Sequence, residues 1–370
     1  MRAALLVMTG LLCCLLVPAF AQQGFGPQAA SPSPAPPLAQ GTTALSRDVA
    51  RRITLDVVVS DKSGKPVPGL QQQDFTVLDD KQPQTILSFR ASASAMNETG
   101  KAADSSLQAI LLVDAVNTSF QGVGNERLAL QKFLQKDDGR LFIPMSLVLL
   151  TDTSQAVSPA TLDGNTLLDT LNANQSGLRS IGRAQGLYGA AERLQLSLGA
   201  LETLASHLAT QPGRKLLIWL SPGWPLLSGP NVQLSATNQE WLFRNVVGFS
   251  TELRESRITL YSVDPLGMED SMGQRFFYEG FLKGVNSANN VQNGNLALQV
   301  LAAQSGGLVL NSSNDIASLI ASCLPDSQAF YTVSFDSSRA DHPNEYHSLQ
   351  VKISKPGLTA RTRTGYYAQR

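Results

Sequence analysis

Residues 107–120, LQAILLVDAVNTSF, hold the sharpest change of pattern in the chain: the apolar run 109–113 leads straight into Asp114, Asn117, Thr118 and Ser119. A short uninterrupted apolar run bounded by polar residues predicts a strand buried on both faces, as in a parallel sheet. Ligands of open α/β sheets gather outside the carboxyl ends of the strands. A carboxylate and three small oxygen-bearing side chains at this end therefore face a crevice.

Downstream, the pattern alternates between helix and strand. Ala129, Leu130, Phe133 and Leu134 form a helical stripe, and 146–150 is a second buried strand that leads to Asp152. Leu194, Leu198, Leu201, Leu204 and Leu208 mark a long amphipathic helix ended by Pro212 and Gly213. The strand KLLIWL then ends at Ser221, Pro222, Gly223 and Trp224. A stripe of Leu242, Val246, Phe249 and Leu253 precedes the strand 258–263, which ends at Asp264. The Gly- and Asn-rich stretch 267–294 is too long for an ordinary connection and is either an excursion over the site or disordered. The helix LALQVLAAQ, capped by Gly306 and Gly307, the strand LVL and a helix containing Cys323 complete an α/β unit over 107–324.

Both flanks read as β. RITLDVVVSD, the turn SGKPVPG and DFTVLDDKQPQTILSF lie in an N-terminal β segment, 47–90; FYTVSF, YHSLQVKIS and LTARTRTGYY make a C-terminal one, 328–370. Neither has enough strands to be stable alone, so the two are expected to pair as one β-sandwich with the doubly wound α/β domain inserted between them. Residues 91–106 have no apolar period and read as a linker.

The N-terminus adds targeting. Arg2, the apolar run 3–17 and the small residues Ala19 and Ala21 predict a signal peptide over 1–21, cleaved after Ala21 and too short to remain as a span. The Pro/Ala/Ser-rich stretch 22–46 reads as an extended tether. Cleavage would remove Cys13 and Cys14 and leave Cys323, on a stripe with Ile316, Leu319 and Ile320, as a buried core residue. Export, to the periplasm or beyond, is the expectation, with no stable membrane insertion after cleavage. Lys plus Arg and Asp plus Glu balance at 29 each, which leaves no field to draw in a nucleic acid.

With these elements in order, the chain resembles a von Willebrand factor A (vWA) domain over about 107–324: an apolar strand ending Asp-x-x-x-Thr, then LIWLSPGWP, then a strand ending VD. More narrowly, RITLDVVVSDKSGKPVPGLQQQDFTVLDD, LLVDAVNTSF, GRKLLIWLSPGWP, ITLYSVDPLG, LAAQSGG and LTARTRTGYYA resemble a group of secreted vWA-related proteins abundant in acidobacteria. The resemblance implies a metal-ion-dependent adhesion site: a Mg²⁺ or Ca²⁺ held by oxygen ligands, with one position open to an acidic group of a protein partner. Asp114 and Thr118 match the first and last ligands of the family's DxSxS. Val116 stands at a serine position, IGRAQGLYG lacks the later threonine, and Pro222 replaces the carboxylate after the fourth strand. The site is thus degenerate, and Asn117, Ser119, Ser221 or Asp264 would have to complete a rearranged set. Without a cation, Asp114 reads as a carboxylate capping the following loop, and Asn117 and Thr118 as a turn and helix start.

Enzyme chemistry lacks a carrier. There is no GxSxG, no glycine-rich phosphate loop and no CxxC. His207 falls on a helix, and DHPNEYH, with His342 and His347 beside Asp341 and Glu345, reads as a loop entering a strand and not as a zinc pattern. The expectation is a secreted, non-enzymatic binding or adhesion module that recognises a protein or other extracellular macromolecule. Its contacts would come from Asp114, Asn117, Thr118, Ser119, Ser221, Asp264 and Trp224, the last an exposed aromatic or one packed under 267–294. A scaffold with a vestigial site and a metal-dependent hydrolase using Asp114, Asp152 and Asp264 are the alternatives.

Overall fold

The computed structural model describes residues 51–93, 107–152, 155–174, 187–225, 234–265, 276–338 and 340–368. The expected signal peptide and tether, and nearly all of the expected linker 91–106, lie outside them. The N-terminal β segment supplies β1 (Arg52–Ser60), β2 (Phe75–Asp79), β3 (Gln82–Gln84) and β4 (Ser88–Ala93). The α/β region follows as β5 (Gln108–Asp114), α1 (Phe120–Leu134), β6 (Arg140–Leu150), β7 (Gln155–Val157), β8 (Thr161–Asp163), α2 (Gly164–Ala173), α3 (Leu187–Ala209), β9 (Lys215–Leu220), α4 (Ala236–Glu255), β10 (Ile258–Val263), α5 (Leu298–Gln304), β11 (Val309–Leu310) and α6 (Ile316–Cys323). The chain ends in β12 (Ala329–Asp336), β13 (Glu345–Ile353), β14 (Thr359–Arg361) and β15 (Gly365–Ala368).

The central sheet runs β11-β10-β9-β5-β6-β7, with β8 also paired to β6; β7 and β8 are antiparallel and the other strands parallel. Counted from β5 this is the order 3-2-1-4-5-6, so the connections diverge between β5 and β9 and open the crevice at their carboxyl ends. Both faces are covered, which is why these strands read as continuous apolar runs. Ala109, Leu111 and Val113 of β5 point into a core shared with α1, α2 and α6. Ile110 and Leu112 point the other way, into a core shared with α3, α4 and α5. β6 begins earlier than its apolar run suggested, because Leu141, Ile143 and Met145 alternate inward from Arg140 onward. At the end of α5, Gly306 takes φ +91°, and a Cβ there would stand 2.7 Å from the Thr362 carbonyl carbon, so this helix stop also seats the C-terminal strands.

The terminal segments interleave. β12 lies between β1 and β4, while β13 lies between β2 and β15. The two four-stranded antiparallel sheets face each other across one apolar cluster built from β1 (Leu55, Val57), β2 (Phe75, Val77), β12 (Val333, Phe335) and β13 (Leu349, Val351). Arg257, between α4 and β10, donates to the Asp56 carboxylate of β1 and ties the central sheet to these strands. Of the stretch 267–294, residues 267–275 lie outside the described residues, and 276–294 do not form an extended segment. They form three short 3₁₀ turns packed on α4 and α5, and Asn286 accepts from the Tyr346 N–H at 3.1 Å. Among the described residues, no helix is long and apolar enough to cross a membrane.

Candidate functional site

The carboxyl end of β5 is organised by Asp114, which is fully buried. Its Oδ1 accepts from the backbone N–H groups of Val116 (2.9 Å) and Asn117 (3.0 Å). Its Oδ2 accepts from Asn117 Nδ2 (2.8 Å) and from the indole Nε1 of Trp219 (3.1 Å), which reaches across from β9. A carboxylate offers roughly four acceptor positions, and here protein donors take all of them. Asn117 also donates to Ser197 Oγ of α3 at 2.8 Å, so one network joins β5, β9 and α3. Ser119 caps α1, its Oγ accepting from Gly122 N–H, and Ser221 Oγ accepts from Gly223 N–H; both hold turns at the tips.

What this network leaves over is a group of unpaired polar atoms. Asn117 Oδ1, Thr118 Oγ1 and both oxygens of Glu126 are buried without a hydrogen-bond partner. The Thr118 hydroxyl lies beside the Glu126 carboxyl without reaching hydrogen-bonding geometry. Glu126 projects from α1 and is completely enclosed. Burial, and then the Asp114 and Asp264 carboxylates, push its pKa well above the ordinary carboxyl range, so the group keeps its proton. Its position was readable in the sequence: Val123, Glu126 and Leu130 are spaced three and four apart on the inward stripe of α1. Asp264, after β10, and Asp152, after β6, are half-buried at strand ends on opposite sides of the β5–β9 pair.

Trp224 is not the exposed aromatic of one of the two expectations. It is 4% exposed, packs edge-on against Trp219 with ring centroids 5.4 Å apart, and shares its core cluster with Val291 and Leu296. Gly223 at φ +110° makes the bend that turns it inward, and a Cβ there would meet the Gln299 amide. Trp224 therefore supports the site from below.

The family's cation can be set against this geometry. Asp114, the one carboxylate in the matching motif, presents no free acceptor position, and Trp219 Nε1–H aims a donor at it where the family would need a metal. Among the matched residues only Thr118 keeps an uncommitted oxygen. The residues present do not fit the ligand set of the family.

His207 is exposed on α3 and bonds to Gln211, and Cys323 is buried with its thiol pushed up by burial. His347, expected near a loop, lies in β13, buried against Asp79 and Asp80 of the N-terminal segment and not joined to His342, Asp341 and Glu345.

No family model and no curated protein matches the sequence. Among solved structures, the chain is similar to a von Willebrand factor type A protein from Catenulispora acidiphila (10% identity, TM-score 0.32, 80% of this chain and 75% of that one). It is also similar to the VWA domain of SpRpn10 (13%, TM-score 0.25, 58% and 93%). The pilus adhesin SpaC from Lactobacillus rhamnosus GG matches at 7% identity and TM-score 0.36 over 82% of this chain; the match spans about half, 49%, of SpaC. The vWA-like reading of this chain rests on its own strand order and on helices covering both faces of the sheet.

Proposed function

We propose that the chain is an exported, non-enzymatic vWA-type binding module that engages a protein or other extracellular macromolecule at the carboxyl tips of β5, β9 and β10. One observation carries this reading. Beside a fully bonded Asp114, Asn117 Oδ1, the Thr118 hydroxyl and the Glu126 carboxyl collect at one strand end without a hydrogen-bond partner. Buried polar groups left unpaired cost about 1–3 kcal/mol each, a cost a fold retains at a functional site more readily than elsewhere. Asn117, Ser119 and Asp264 would make the contacts, with Thr118 and Ser221 shaping the floor and Trp224 buttressing it. Asp114 would hold the tip rigid through Trp219 in place of a cation. The saturation of Asp114 equally favours the scaffold alternative, in which the tip is a structural knot.

Capture separates the two. The folded chain, immobilised, is exposed to culture fluid of its native host beside an Asn117→Ala/Asp264→Asn variant shown by melting to be folded. A species retained by the parent and lost by the variant supports the binding reading. Equal retention by both moves the contact surface away from the tips.

A further inference from the structure

We infer that Asp79, Asp80 and His347 form a binding site for a divalent transition-metal cation, remote in sequence from the β5 tip, that clips the N-terminal strands to the C-terminal ones. His347 Nδ1 lies 3.1 Å from Asp79 Oδ1 and 3.5 Å from Asp80 Oδ2. One ligand atom from each of the three residues lies within 4.8 Å of the other two. Ligands about 2.1 Å from a common cation stand about 3.0 Å apart at right angles and about 3.4 Å apart at the tetrahedral angle, close to the two distances from His347 Nδ1.

Each carboxylate is already oriented for the task. Asp79 Oδ2 accepts from Tyr366 Oη at 2.7 Å and from Ser338 N–H at 3.4 Å, which leaves Oδ1 facing the imidazole. Asp80 Oδ1 accepts from the backbone and the hydroxyl of Ser348, both at 2.8 Å, which leaves Oδ2 facing the same point. Partners of this kind fix the direction of metal ligands. Backbone geometry adds to it: Asp80 and Lys81 have φ of 45° and 69°, the two left-handed residues of a tight β2–β3 hairpin turn that closes on the pair Asp79 and Gln82. That turn presses Asp80 against β13.

The imidazole is enclosed and held on the same side as the carboxylates. The side chain of His347 is 7% exposed and its Nε2 is buried without a partner, so every polar contact of the ring is on the side of the two carboxylates. Asp79 is fully enclosed, whereas the Asp80 side chain is 51% exposed, which provides an entry path and room for water ligands. One imidazole with two carboxylates suits Zn²⁺ or Mn²⁺ better than Mg²⁺ or Ca²⁺, which prefer oxygen alone. The residues come from β2, its turn and β13, so a bound cation would cross-link segments some 268 positions apart.

The test uses the full chain stripped with chelator. Calorimetric titration of Zn²⁺ and of Mn²⁺ at neutral pH is expected to give one saturable site, with a rise in melting temperature at saturation and little response to Mg²⁺ or Ca²⁺. Asp80→Asn, at a solvent-facing position, should leave the metal-free melting temperature within a degree or two and weaken binding at least tenfold. Tyr366→Phe, which touches no cation, should weaken it by about tenfold. The inference is overturned if the parent chain shows no saturable binding. It is equally overturned if Asp80→Asn and His347→Gln bind as the parent does, since the metal would then sit elsewhere.

Discussion

Asp114→Ala is the perturbation that most sharply separates an internal knot from a cation site. The side chain accepts four hydrogen bonds, two from backbone N–H groups and one from a buried indole. A hydrogen bond to a charged group contributes about 1.5–3 kcal/mol net, and bonds to a single carboxylate are not additive. The orphaned Trp219 Nε1 has no water to turn to, because the tryptophan is fully buried. Together these set the expected loss at about 3–5 kcal/mol, in the range for breaking a buried polar network. For a folded unit spanning Leu45–Arg370 that corresponds to a fall in melting temperature of about 4–7 °C. Trp219→Phe keeps the ring in the core and removes one donor, so its expected cost is smaller, about 1–2 kcal/mol. Both are read from urea or thermal unfolding followed by circular dichroism, with chelator present. A loss below about 1 kcal/mol for Asp114→Ala would refute the reasoning. So would a loss that appears only when Mg²⁺ is supplied.

Two further outcomes follow from the same region. Glu126 holds its proton in the folded chain at a pH where an unfolded carboxyl has lost it. Its stabilising contribution is therefore complete at acid pH and is lost as pH rises above about 4.5, at about 1.4 kcal/mol per unit until the folded value is reached. Glu126→Gln should flatten this slope and raise stability at pH 8 relative to the parent; an unchanged pH profile would show that the carboxyl is not desolvated. Trp224→Ala should cost about 3–5 kcal/mol in urea unfolding, as for a buried aromatic. A cost under 1 kcal/mol would place the ring at the surface.

The elements that could be read from sequence are those whose periodicity has one cause. β5, β9 and β10 are apolar runs because helices cover both faces, and α3 shows a leucine stripe because one of its faces packs on that sheet. The hub role of Asp114 was open in the sequence as a loop cap, since its partners Val116 and Asn117 are local. The indole donor was not, because Trp219 sits inside an apolar strand, where its N–H has no visible partner until β5 and β9 are set side by side. Trp224 misled in one of its two readings for a physical reason: Gly and Pro neighbours signal a turn, and only the φ of Gly223 decides which way the next side chain points. His347 was judged against its sequence neighbours His342 and Glu345, whereas its partners come from strands paired across the chain's two ends. Long-range antiparallel pairing leaves little trace in local pattern.

Amide hydrogen exchange of the chain, free and in complex with the partner that capture identifies, tests the central claim most directly. Binding at the carboxyl tips is expected to slow exchange over residues 114–122 and around Asp264, while the edges of the two antiparallel sheets exchange as in the free chain. Protection confined to β13–β15 or to 276–294, with the tips unchanged, would contradict it.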